Sequence, residues 1–243
     1  SVSLPAVPFS TKNFTKLMKR RGSCHTESTQ RRTWRNGSIV LGVIETQRSE
    51  NFLPHALHLL RENHPNIRID IISGNFHELR ESMLNGRIDI ALTLDFDIVD
   101  YPADDIIYQV FFESSPKCVI SRSHPLAQQN NLHFDRLSTE TMIAIDPSIS
   151  RGAYNNIVQF CERHGFTPAH TIYATSIQNL LLKVEAGLGF SVLDENCISN
   201  SNTAVLSLPF YKTDPLHLVA VWKKDNLNPV IPLFTNYLLP QET

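Results

Sequence analysis

No stretch of this 243-residue chain approaches the ~20 consecutive apolar residues that cross a bilayer, so no membrane partner is expected. The first residues show no apolar segment of the kind that directs export, and the expected location is the cytoplasm. Cysteine is scarce: Cys24, Cys118, Cys161 and Cys197 are widely spaced and form no C-x-x-C pair, which argues against a disulfide framework or a thiolate metal site. Cys118 and Cys161 fall in apolar runs and read as buried thiols. Glycine is also sparse, with 9 residues, and none forms a phosphate loop or a dinucleotide fingerprint after a strand. Gly187-Leu-Gly189 closes a helix instead. There is no G-x-S-x-G, and His55-Ala-Leu-His58 lacks the glutamate of a zinc-protease helix. The residues therefore point to no metal, no cofactor and no catalytic constellation, and Phe111, Phe112, Phe160 and Phe166 fit core spacing.

The net charge of -2 hides an uneven distribution. Before Gly37 the chain carries Lys12, Lys16, Lys19, Arg20, Arg21, Arg31, Arg32 and Arg35 against Glu27 alone, whereas the remainder is acidic. A basic arm on an acidic globule suits a polyanion-facing segment, or equally a solvated tail.

From Gly37 onward, β-branched runs alternate with helix-period runs, and Gly, Pro, Ser or Asn marks each junction. That rhythm predicts βαβ units feeding parallel sheets. Strands are expected over 39–45, 67–73 and 88–94, with helices near 51–63 and 77–84. Ser49 and Glu50 serve the first helix as cap and first-turn acid, and Asn85-Gly86 ends the second. After an acidic connection over 95–105, a second unit is expected to hold strands near 106–112, 117–121, 142–145, 171–175, 189–193, 205–208 and 217–222, and helices near 152–164 and 177–186. A last amphipathic helix over 229–239 returns to the first unit. The expected fold is α/β: two Rossmann-like lobes with a hinged cleft. Residues 1–36 form the basic segment, 37–101 with 224–243 the first lobe, and 102–223 the second.

Ligands of open α/β sheets gather beyond the carboxyl ends of the strands. That rule nominates Thr46, Gln47, Ser73, Gly74, Asn75 and Thr93 in the first lobe. In the second it nominates Ser121, Asp146, Ser148, Thr175, Ser176 and Phe190. Several sit at expected helix N-termini, where free N–H groups favour a carboxylate or phosphate, so a small anionic metabolite is the expected ligand. Read individually, Ser49, Asn75 and Ser176 are equally well explained as ordinary caps. Asp89 reads as a residue that orients the start of a strand rather than a general acid.

Five landmarks follow one another along the chain: Gly37-Ser-Ile-Val-Leu-Gly42, Leu53-Pro54 with His64-Pro65, Asn85-Gly-Arg-Ile-Asp-Ile-Ala91, Ser123-His-Pro-Leu126 and Lys183-Val-Glu-Ala-Gly-Leu-Gly-Phe190. The series resembles the effector-binding domain of LysR-type transcriptional regulators: the first looks like that family's opening strand, the second matches its helix-plus-His-Pro pattern, and the others are similar to later landmarks in the family's order. The resemblance covers Gly37 to about Leu239. It implies a type 2 periplasmic-binding-protein-like fold, a small-molecule effector in the cleft, and a homodimer or homotetramer. Pro5-Ala-Val-Pro-Phe-Ser-Thr-Lys-Asn-Phe-Thr-Lys-Leu17 is similar to the family's recognition-helix motif, with Pro8 in place of a serine. The two supporting helices and the long linker helix are not matched. A recognition helix without that platform is not expected to read DNA sequence. Lys12, Lys16, Lys19, Arg20 and Arg21 then remain as salt-dependent phosphate contacts.

The leading expectation is thus a ligand-sensing domain of a transcriptional regulator that couples a bound metabolite to oligomer geometry. A solute-binding receptor of the same fold without a DNA role is the alternative. An enzyme on the same scaffold is a third reading that no motif requires.

Overall fold

A computed structural model describes residues 37–45, 47–128, 134–198, 205–209 and 214–239. Ten strands and six α-helices alternate among these residues. The basic segment with Lys12, Lys16, Lys19, Arg20 and Arg21 lies outside them, as do Cys24 and Thr46.

The first lobe opens with β1 (Gly37–Ile44), α1 (Leu53–Asn63), β2 (Ile67–Gly74), α2 (Phe76–Leu84) and β3 (Ile90–Leu94). β1 pairs in parallel with β2 on one side and β3 on the other. Every residue of β3 is buried, as a central parallel strand covered on both faces should be. Asp89, just before β3, accepts the Val40 amide at 2.8 Å and the Asn226 side chain at 3.1 Å, which sets the register of β3 beside β1. Asn75 caps α2 in a reciprocal box with Glu78, and Gly86 follows the helix at φ 70°, the left-handed geometry expected there. The expected cap of α1 is not formed. Ser49–Asn51 makes a separate 3-10 turn, and α1 starts on Phe52 without a side-chain cap, with Pro54 in its first turn.

The sheet is completed by β4 (Ile106–Ser114) and β10 (Leu216–Lys223) in the order β2-β1-β3-β10-β4, with β10 antiparallel to both neighbours. Both strands were expected in the second lobe. Their hydrogen bonding to β3 and to each other moves the crossings to Ser115 and to the stretch between Pro209 and Leu216. The sheet exchanges strands where a pattern of apolar runs registers no change. Helix α6 (Val230–Leu238) packs on α1 and buries Val230, Ile231 and Phe234 in the first core, so the chain does return there.

The second lobe holds β5 (Pro116–Ser121), the helical turn α3 (Phe134–Leu137), β6 (Thr141–Ile145), α4 (Arg151–Arg163), β7 (His170–Ala174), α5 (Ile177–Glu185), β8 (Ser191–Asp194) and β9 (Val205–Pro209). β5 lies antiparallel between β8 and β9, and β6 pairs in parallel with β7. A parallel bridge from Met142 to Phe190 joins the two pieces, with Phe190 accepting the Ile143 amide at 2.7 Å. Cys118 and Cys161 are buried in this core, and burial pushes both thiols up.

The approach of β8 to β6 depends on Gly189. Its φ is +156°, and a Cβ there would lie 2.1 Å from the Thr141 carbonyl oxygen. Gly189→Ala is expected to destabilise the chain by at least about 2 kcal/mol in urea denaturation. An unchanged midpoint would show that β6 and β8 are not held this closely.

Candidate functional site

The two lobes face each other across the carboxyl ends of β3, β6 and β8. Three helix N-termini converge there, through Phe76 of α2, Ala153 of α4 and Ile177 of α5. Together with Leu94, Phe96, Ile145, Leu193, Asp194, Cys197 and the start of β10 at Leu216, they enclose a cavity of about 50 Å³. That volume admits only a few waters. The lining is mostly apolar; Asn156, Ser191, Asp194 and Cys197 supply its polar side chains. Among the described residues, no Lys, Arg or His lines it.

One wall of the closure is an acidic latch. After β3 the chain makes a 3-10 segment, Asp95–Asp100, that lies on the N-terminus of α4. Asp97 is fully buried: Ser150 donates to it at 3.1 Å, Thr93 at 3.2 Å and Arg80 at 3.5 Å. Asp100 accepts the Gly152 amide at 3.1 Å and the Arg151 side chain at 3.1 Å. The free N–H groups and dipole of α4 thus meet a carboxylate supplied by the other lobe. The contact requires Gly152, since a Cβ there would fall 2.1 Å from the Phe96 carbonyl oxygen. Arg151 is mostly exposed and its ion pair contributes little, whereas Arg80 is largely covered and also stacks over Tyr101 at 5.9 Å. Burial pushes the Asp97 carboxyl up to about 7, against the pull of Arg80, Ser150 and Thr93.

A second seam ties the turn after β1 to the turn after β8. Asn51 donates to the Asn196 side-chain oxygen at 2.7 Å, and the Arg48 amide donates to the Asn196 carbonyl at 3.2 Å. Asn196 in turn donates to Ser114 at 2.9 Å, at the crossing from β4 to β5.

The nominated residues divide into those near this region and those remote from it. Gln47 is buried and donates to Cys197 at 3.4 Å, so it reaches the edge of the cavity. Thr93 serves Asp97. Asn75 and Ser176 flank the cavity as caps of α2 and α5, accepting the Glu78 amide at 2.9 Å and the Asn179 amide at 3.1 Å. Gly74 is buried against Glu78, while Ser73 and Thr175 face outward. Ser148 donates to Asp146 at 2.6 Å in a local turn, and this bonding holds the Asp146 carboxyl below its usual range. The cap of α4 is Ser150, two residues further on.

Ser121 and Phe190 are corrections. β5 runs antiparallel to β8, so its carboxyl end points away from the cleft, and Ser121 bonds to Ser123 and to the Glu185 carbonyl instead. Phe190 stands at the start of β8, not its end, and is fully buried beside Phe166. The cavity walls themselves were missed because they are the apolar first residues of helices, adjacent to the polar caps that were nominated. The i, i+3 spacing of Asp97 and Asp100 in an acidic connection was the available signal for the latch. His58 pairs with Glu62 at 3.2 Å on the outer face of α1, away from this region.

The latch gives a pH dependence of definite sign. The native Asp97 carboxyl binds its proton more tightly than in the unfolded chain, so its contribution is full at low pH and is lost as pH rises from about 4 to about 7. Asp97→Asn removes that loss. The stability of the unsubstituted chain relative to Asp97→Asn should fall by more than about 1 kcal/mol across this interval. Parallel curves would refute the assignment.

The comparisons agree with this architecture. A family model described as "LysR substrate binding domain" matches residues 34–242. The transcriptional regulator AlsR of Bacillus subtilis is 27% identical over 213 residues, covering 85% of this chain and 67% of its own length. Among solved structures, the LysR family regulator HinK of Pseudomonas aeruginosa aligns with a TM-score of 0.66 at 25% identity, over 84% of this chain and 70% of that one. The effector-binding domain of BenM, solved with its effector benzoate, aligns with a TM-score of 0.64 at 21% identity, over 83% and 90%. The chain spans 56% to 67% of the length of the first curated relatives it matches.

Proposed function

The chain belongs to the LysR substrate-binding domain family, and on that premise we propose that it is the ligand-sensing part of a transcriptional regulator. A small molecule binds between the lobes, alters their angle and so biases the geometry of a homo-oligomer that controls transcription. Curated relatives such as AlsR are transcriptional regulators. The observation that carries the reading is the cavity at the carboxyl ends of β3, β6 and β8, walled by both lobes and bordered by a hydrogen-bonded latch.

The cavity volume of about 50 Å³ is well below the ~150 Å³ that accommodates a benzene-sized guest. A metabolite therefore enters only as the lobes part, and its binding free energy works against the latch. An anion of the sort expected from the sequence would also have to compete with Asp100 for the end of α4. Pairing of domains is supported by the outer edge of β2, where Ile71 and Ile72 are exposed on a strand with one partner among the described residues. Such an edge invites cover by another surface.

A ligand that binds only the folded chain stabilises it by RT ln(1 + [L]/Kd), about 2.7 kcal/mol at one hundred times Kd. A thermal-shift panel of small carboxylates, amines and amino acids is expected to contain stabilisers. Ala153→Phe, which projects a ring into the cavity, should abolish their effect. Retention of the shifts in that variant would locate binding elsewhere, and a panel without any shift would contradict ligand sensing.

A further inference from the structure

The unmet hydrogen-bonding capacity of the cavity lies on its acceptor side. Asp194 ends β8 and is 3% exposed. Its Oδ1 accepts the Asn196 amide at 2.7 Å, whereas its buried Oδ2 has no hydrogen-bond partner among the described residues. Gln47, across the seam, donates through Nε2 to Cys197 and likewise leaves a buried Oε1 unpartnered.

Several of the donors that would attract an anion are engaged within the chain. The Gly152 amide at α4 is taken by Asp100 and the Ala153 amide by Ser150 at 3.0 Å. Asn75 takes the Glu78 amide of α2, and Ser176 takes the Asn179 amide of α5. The Ser191 hydroxyl donates to the Ile143 carbonyl at 2.7 Å. The Lys117 ammonium, on the strand beside β8, pairs with Glu195 at 3.3 Å rather than with Asp194. Burial holds the Asp194 carboxyl above its ordinary range although the Asn196 amide, Ser114 and the Asn196 side chain favour the ionised form. A carboxylate oxygen in such a place is costly to leave unpaired, and a charge-assisted bond offsets that cost.

Resting on the reading of this cavity as the ligand site, we propose that its ligand class is a small molecule with an ammonium or similar N–H donor head on an apolar body. The head meets Asp194 Oδ2, and the body lies against Phe76, Phe96, Ile177 and Leu180. This reverses the charge expected from counting helix N-termini in the sequence.

The test is an amide chemical-shift titration of the chain with three four-carbon probes: n-butylammonium chloride, n-butanol and sodium butyrate. Butylammonium is expected to perturb residues 194–197 and to bind about tenfold or more tighter than the other two. Asp194→Asn, which keeps an acceptor for the Asn196 amide, should abolish that preference and leave butanol unaffected. Asp194→Ser, which retains a capping oxygen, serves the same comparison if the asparagine variant unfolds. Butyrate or butanol binding as tightly as butylammonium would overturn the donor assignment while leaving the site in place. An undiminished preference in the Asp194 variants would overturn it as well. No perturbation of cavity amides by any of the three would remove the site itself.

Discussion

The arrangement of the two lobes depends on one contact between them: the carboxylates of Asp97 and Asp100 against the N-terminus of α4. A helix end offers N–H groups with no intrahelical partner, and here the opposite lobe fills them. Asp97 would be a costly burial on its own. Arg80, Ser150 and Thr93 surround it, and the last of these comes from the strand that delivers the acidic segment. Removing either side leaves buried polar groups unpaired, so the contact is made as a unit or not at all. Gly152 is the steric condition for it, because only a residue without a side chain lets the Phe96 carbonyl approach α4.

This closure explains why the cavity is small and why its chemistry is one-sided. Helix ends that favour anions in an open cleft are capped by the chain's own Asn75, Ser150, Ser176 and Asp100. The wall left beside these caps is mostly apolar, with Asn156 in it and the buried Oδ2 of Asp194 behind it. The Asn51–Asn196–Ser114 seam sits at the β4–β5 crossing, where a change of lobe angle has to be absorbed. On the proposed reading, a ligand at Asp194 would lie two residues from this seam.

The strands and helices were legible in the sequence because their periodicities are strong and their caps ordinary. Asn75, Gly86 and Asp89 act where their residue types suggested. Three features were not legible. β4 and β10 belong to the first sheet, which is a matter of pairing, and the hydrophobic pattern of a strand does not encode its partner. Ser121 was placed in the cleft by a rule for parallel strands, and β5 is antiparallel. The helix-terminal residues near the cleft were counted as open anion sites, but whether a helix end is open depends on groups distant in sequence. Asp100 lies 52 residues before the amide it caps.

The claim that the acidic segment holds the lobes closed is most directly tested by an interlobe distance. Spin labels on the exposed positions Glu62 of α1 and Gln159 of α4, measured by double electron–electron resonance, report on it. A single narrow distance distribution is expected for the labelled parent, and Asp100→Ala should broaden it and shift it to longer distances. An unchanged narrow distribution in Asp100→Ala would contradict the account.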